Sequence, residues 1–173
     1  MTVTSVDKDF DNLTLALTAE FEATPERVWQ LWADPRQLER WWGPPNHPAT
    51  MTALDLRPGG RVEYHLTGPD GEMPQGPWEV LEVDPPRKLV FRDSVVDEEG
   101  HPTDQGPSSM TVRIEPVRAG RTQMVIEAKF HSRESLELAL KMDMDQMLAG
   151  AIGQIEGILS ESQRPVGAML PAE

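Results

Sequence analysis

The sequence predicts an α+β fold: a curved antiparallel sheet, two short helices after its first strand, and a long C-terminal helix packed across the concave face. Three observations carry this expectation. Two hydroxyl-or-carboxyl-plus-proline signals, Thr24-Pro25 and Asp34-Pro35, follow an early alternating segment. A run of alternating segments between residues 51 and 130 is divided by short Gly/Pro turns. An apolar stripe then recurs every three or four residues from Leu136 to Leu159. The 173 residues suit one domain large enough to bury a core.

Residues 1–12 are polar and are expected to be a flexible lead-in to a single domain over 13–162. "LTLALTAEF" (13–21) puts Leu13, Leu15, Leu17, Ala19 and Phe21 on one side, the period of a half-buried strand. Thr24 supplies an N-cap hydroxyl and Pro25 a first helical position, with Val28, Leu31 and Trp32 at helical spacing. Asp34-Pro35 repeats the signal, so a second short helix carries Leu38, Trp41 and Trp42 and ends at Gly43-Pro44. A Pro-rich loop spans 43–50. "MTALDL", "RVEYHLT", "WEVLEV", "KLVFRDSVV", "MTVRIEPV" and "TQMVIEAKF" then read as six strands of a meander, and "DEEGHPTDQGPSS" (97–109) as a long polar hairpin loop. Ser132 caps the last helix, expected to run unbroken to about Ser160. Gly150, Gly153 and Gly157 inside it mark expected close packing on the sheet. The tail, 163–173, is expected to be disordered.

Charge narrows the partners. With 29 acidic against 16 basic residues and a net charge of −13, the chain repels phosphate backbones and anionic lipid, so neither nucleic acid nor membrane is expected. There is no cysteine, so disulfides and thiolate chemistry are excluded. The first residues lack the basic start and apolar run of a secretory leader, and no 18-residue apolar stretch occurs; a cytoplasmic protein is expected. No G-x-S-x-G, phosphate-cradling glycine loop or H-E-x-x-H is present, so no catalytic residue and no cofactor are assigned. His47, His65, His101 and His131 are scattered; Glu63 and His65 share a strand face but read as its solvent side, so no metal site is assigned.

The tryptophans are the unusual feature: four of five lie between Trp29 and Trp42. Each buries about 200 Å² wherever it packs. Trp29 and Trp32 suit a plug at one end of the sheet, whereas Trp41 and Trp42, preceding Gly43-Pro44-Pro45, suit the rim of a pocket. A cavity between sheet and last helix would be walled by Trp32, Tyr64, Leu66, Trp78, Phe91, Met110, Met144, Met147 and Leu148, with Trp41 and Trp42 near its entrance. Arg113 is a further polar group available to orient a ligand.

"ATPERVWQLWADPRQLERWWGP", then "DLRPGG", "GPDG" and "VLEVDPPRKLVF", resemble in order the landmarks of the SRPBCC (START-like, helix-grip) superfamily, in the branch of activator of ninety-kilodalton heat-shock protein ATPase homologues. The resemblance covers roughly residues 13 to 160. One departure stands at Gln146-Met147, where members often carry Gly-Trp; methionine there enlarges or softens the cavity. The resemblance implies the helix-grip fold, a monomer or weak homodimer, and non-catalytic binding of a small hydrophobic or aromatic molecule, with a place in stress response. It also implies two alternatives: a co-chaperone-like module that docks on a chaperone or other protein partner and stimulates its ATPase, and a polyketide cyclase or hydratase.

Overall fold

The computed structural model describes residues 3–42, 48–69, 71–74, 78–93 and 108–162. Two strands, β1 (Val3–Asp9) and β2 (Thr14–Phe21), precede two short helices, α1 (Pro25–Ala33) and α2 (Pro35–Trp41). Seven strands follow: β3 (Ala49–Leu54), β4 (Arg61–Gly68), β5 (Gly71–Pro74), β6 (Trp78–Asp84), β7 (Lys88–Asp93), β8 (Ser109–Arg118) and β9 (Arg121–Lys129). Three helical segments, α3 (Arg133–Lys141), α4 (Met144–Gly153) and α5 (Ile155–Ser162), end the described chain. The strands form one antiparallel sheet in the order β1-β2-β9-β8-β7-β6-β4-β3, with β5 on β4. This is the α+β, helix-grip architecture the sequence predicts.

Alternation builds the core. Leu15, Leu17, Ala19 and Phe21 of β2 are buried, and so are Met124, Ile126 and Ala128 of β9 and Met110, Val112 and Ile114 of β8. Register aligns these positions: Ile126 sits between Leu17 and Val112, and Met124 between Ala19 and Ile114. Each fully buried aliphatic side chain contributes about 1.5–3 kcal/mol relative to exposure. The helices cover the same face, with Leu136, Leu148, Ala151, Ile152, Ile155, Ile158 and Leu159 closing it. The "RPGG" turn is fixed by two glycines: Gly59 takes φ 84, and a Cβ on Gly60 would lie 2.2 Å from the Asp55 carbonyl oxygen. Gly59 donates to Val80, and Val80 to Gly60, both at 2.9 Å, so the turn is tied to β6.

Three expectations are corrected. Residues 3–9 are not a loose lead-in but an edge strand, with Val6 opposite Leu17 and Asp7 opposite Ala16. Its side chains are mostly exposed, so the backbone ladder holds it and its polar sequence carries no apolar alternation. The last helix is not continuous: Asp143 stands at φ 62, separating α3 from α4, and a second break falls at Gln154. Aspartate tolerates the left-handed region better than most residues, and the apolar stripe persists across the breaks because each segment buries its own part of it. Gly150, Gly153 and Gly157 do not pack closely; all three are exposed, and a Cβ on any of them meets nothing within 4 Å. The expectations for residues 97–107, 163–173 and the turns at 43–47 fall outside the described residues. Among the described residues, no helix is long and apolar enough to cross a membrane.

Candidate functional site

A polar latch aims the tryptophans. Thr24 Oγ1 accepts from the Arg27 amide at 3.2 Å and starts α1. Asp34 closes α1 by donating its own amide to Gln30, and opens α2 with its carboxylate, which accepts from the Arg36 amide at 2.9 Å and Gln37 Nε2 at 3.0 Å. Those bonds, the Gln37 amide first, hold the Asp34 carboxyl below the ordinary carboxylate range. Arg27 donates to Gln37 Oε1 at 2.7 Å, so the two helices are cross-tied at the bend. Met51 donates its amide to Glu39 at 2.9 Å, Gln154 Nε2 donates to the Trp41 carbonyl at 3.2 Å, and Arg40 pairs with Glu161. The helix α2 is thereby fastened to β3, to the α4–α5 junction and to α5.

The rings converge from five elements. Trp32 of α1 meets Trp41 edge-on at 4.8 Å between centroids, and Trp42 lies 5.7 Å from Trp32 and 5.6 Å from Trp41. Across the sheet, Trp78 of β6 stacks on Phe91 of β7 at 4.0 Å and 16°. Trp42 bridges the groups, 4.7 Å from Trp78 and 6.3 Å from Phe91, and Tyr64 of β4 closes on Trp78 at 5.9 Å. Edge-to-face and offset pairs of this kind add about 0.5–1.5 kcal/mol each beyond area burial. Trp32, Trp41, Trp78 and Phe91 are fully buried, whereas Trp42 remains partly open to solvent.

The indole N–H groups divide them further. Trp41 Nε1 donates to the Leu31 carbonyl at 3.0 Å, satisfying a carbonyl in the last turn of α1. Trp32 Nε1 contacts the Met124 sulfur at 3.4 Å, a weak acceptor. Trp78 Nε1 is buried and has no hydrogen-bond partner among the described residues. A buried donor left unmatched is unfavourable by about 1–3 kcal/mol.

The structure thus joins Trp32, Trp41, Trp42, Tyr64, Trp78 and Phe91 in one ring cluster. Met110 lies opposite Phe91 and is buried; Leu148 is buried; Leu66 and Met144 pack half-buried against the core. Met147 stands apart, 51% exposed, because it sits on the outer side of α4, one residue off the stripe that buries Leu148, Ala151 and Ile152. Arg113 is also exposed, on the alternate face of β8 from Val112 and Ile114. Glu63 and His65 lie on the sheet face opposite Val62 and Tyr64, and Glu63 pairs with Arg61 at 3.6 Å. No group of three or more His, Asp or Glu able to hold a metal ion occurs among the described residues. His47 and His101 fall outside them.

Sequence reasoning missed two features. Met51 is buried opposite Tyr64 and is held by both Arg36 and Glu39; the alternation of "MTALDL" placed it in phase but gave no hint of the link to α2. Between the ends of β2 and β9 and the helix α5, a crevice of about 380 Å³ is lined by Glu20, Phe21, Glu22, Arg121, Glu156, Leu159 and Ser160. There Arg121 donates to Glu20 at 2.7 Å, a pairing across 101 positions that no local pattern announces.

Comparisons place this geometry among known proteins. The model of one family, described as Activator of Hsp90 ATPase homolog 1-like protein, matches residues 22–160. A crystal structure of protein Ms6760 from Mycobacterium smegmatis is 43% identical, with TM-score 0.82, over 93% of this chain and 99% of that one. A solution structure from Arthrobacter aurescens is also 43% identical, with TM-score 0.86, over 92% and 93% of the two chains. A Rhodobacter sphaeroides structure at 22% identity and TM-score 0.78, over 93% and 99%, shares the fold. No curated protein matches the chain.

Proposed function

The chain belongs to the Activator of Hsp90 ATPase homolog 1-like family, and on that fold we propose that it binds a small hydrophobic or aromatic molecule, without catalysis, between the concave face of the sheet and its C-terminal helices. The observation that carries this reading is Trp42. It is a large apolar ring left partly open to solvent, yet it touches the buried rings of Trp32, Trp41, Trp78 and Phe91. A ring in that position links the exterior to an aromatic interior, and a flat apolar ligand sliding past it would gain about 25 cal/mol per Å² of buried apolar surface. Such sites are commonly concave, apolar and sparing in polar groups.

Nile red, a neutral dye that brightens in apolar surroundings, tests the reading. Saturable uptake near one dye per chain is expected, weakened at least about tenfold by Trp42→Ala at a temperature where the variant keeps its native far-ultraviolet ellipticity, since losing four ring contacts also lowers stability. Uptake that does not saturate, or that ignores Trp42→Ala, defeats it.

The family description favours a second reading, a module docking on a chaperone ATPase, and Met142 and Met147 offer it exposed, adaptable apolar contacts at 65% and 51% exposure. Stimulation of an Hsp90-type ATPase from the same source, lost in a Met142→Ser/Met147→Ser variant that still takes up Nile red, would select this reading over the first.

A further inference from the structure

We propose that Trp78 is the polar anchor of this site, and that its occupant is a neutral, flat, apolar molecule carrying one hydrogen-bond-accepting oxygen, such as a ketone, ester or amide carbonyl. This rests on the binding reading above and adds the chemistry of the ligand. Three fully buried tryptophans share one cluster. Two of their indole N–H groups have acceptors, the Leu31 carbonyl for Trp41 and the Met124 sulfur for Trp32. Trp78 Nε1 has none among the described residues. Buried indole donors ordinarily find a partner, and each exception calls for a physical reason. The ring neighbours of Trp78 are Phe91, stacked at 4.0 Å, and Trp42, Tyr64 and Trp32 at 4.7, 5.9 and 6.1 Å. An oxygen atom delivered by a flat guest would supply the missing acceptor, while the guest's apolar body takes its place among the rings.

Charge decides between a neutral and an anionic oxygen. The cations on the strands carrying Trp78 and its partners are committed elsewhere. Arg61 pairs with Glu63 at 3.6 Å and Arg92 with Glu79 at 2.8 Å, all exposed on the sheet face opposite the rings. Arg36 is held by Glu39 and the Met51 carbonyl. With a body charge of −13, a carboxylate taken out of water beside Trp78 would meet one N–H, while these described arginines are already held by other groups, which is strongly unfavourable for an ion. A carbonyl oxygen loses far less hydration and needs only that single donor.

The test uses three compounds of one shape: 2-acetylnaphthalene, 2-isopropylnaphthalene and 2-naphthoate. They are titrated into ¹⁵N-labelled full-length protein, with the Trp78 indole resonance assigned through its contacts to Phe91. The expectation is that 2-acetylnaphthalene binds about threefold to tenfold tighter than 2-isopropylnaphthalene, the worth of one net hydrogen bond. Naphthoate should be the weakest. The Trp78 N–H resonance should move downfield with the ketone only, and Trp78→Phe should erase the preference of the ketone over the hydrocarbon. Equal affinity for ketone and hydrocarbon, or a Trp78 N–H resonance that stays still at saturation, overturns the anchor and leaves the binding reading standing. The wild-type resonance decides this even if the variant does not fold. If none of the three binds, the binding reading fails as well.

Discussion

The two ends of the sheet are filled by different means. Where β2, β9 and β8 lie side by side, the interior is aliphatic: Leu15, Leu17, Val112, Ile114 and Ile126 interleave beneath the helices. The buried polar side chain there, Thr122, donates to the Ala23 carbonyl at 2.6 Å. Where α1 and α2 face β4, β6 and β7, the interior is aromatic, and all five tryptophans of the chain, at positions 29, 32, 41, 42 and 78, belong to these elements or their ends. That end keeps one unmatched donor and one partly open ring. Aliphatic side chains with staggered rotamers fill space to the density of a crystal. Rigid plates meeting at 16° to 85° tile space less readily. The difference teaches how one core can be closed in two ways: the aliphatic end satisfies its groups internally, and the aromatic end leaves the Trp78 donor unmatched and Trp42 partly open.

The largest effect should come from the aliphatic end. Leu17→Ala removes packing from a position flanked by Ile126 and Leu15 and should cost about 3 kcal/mol, within the ~2–5 expected for buried leucine, read as a lowered urea midpoint. If it costs less than about 1 kcal/mol, the aliphatic end is not the stabilising one. A finer contrast lies within the aromatic end. Trp41→Phe and Trp78→Phe make the same chemical change, but the first strands the Leu31 carbonyl while the second deletes a donor that had no partner. Trp78→Phe should therefore be the milder by about 1–2 kcal/mol. Equal losses would mean that the Trp78 N–H is matched in solution, and the proposed anchor would go with it.

Sequence reading went furthest where one residue type states its reason locally. Thr24-Pro25 and Asp34-Pro35 announced both short helices, and their capping bonds form as expected. Period-two alternation marked the buried faces of β2, β4, β8 and β9. It failed on β1, whose pairing is carried by backbone groups that every sequence possesses. It failed again at Asp143, because a periodic stripe is indifferent to a break that preserves which residues face the sheet. In the aromatic end the identities were legible: Trp32, Trp41, Trp42, Tyr64, Trp78 and Phe91 were all picked out, and the structure brings them together. Their mutual angles were not, nor was the state of each N–H, since these depend on partners such as Leu31 and Met124 that folding alone supplies. Met147 shows the limit of periodicity on a short helix. One residue beyond it, Leu148 is buried, and the stripe alone did not separate the two.

The smallest effect separates the two ends by acid. Asp34 ties α1 to α2 through the Arg36 amide and Gln37, and these bonds depress its carboxyl. A group whose folded pKa is depressed contributes stability that is present above its unfolded value, about 3.9 for aspartate, and is lost as pH falls through the lower folded value. Protonation should therefore loosen the bend that aims Trp32, Trp41 and Trp42. Because every tryptophan sits at the aromatic end, indole emission reports that end specifically. The wild type should show an emission change below about pH 4 that precedes the loss of far-ultraviolet ellipticity. Asparagine keeps a capping oxygen but cannot titrate, so Asp34→Asn should cost no more than a few tenths of a kcal/mol at neutral pH and shift the emission change to coincide with global unfolding. Coincident transitions already in the wild type would show that acid does not act first through this latch, and that the aromatic end is no more easily opened than its aliphatic neighbour.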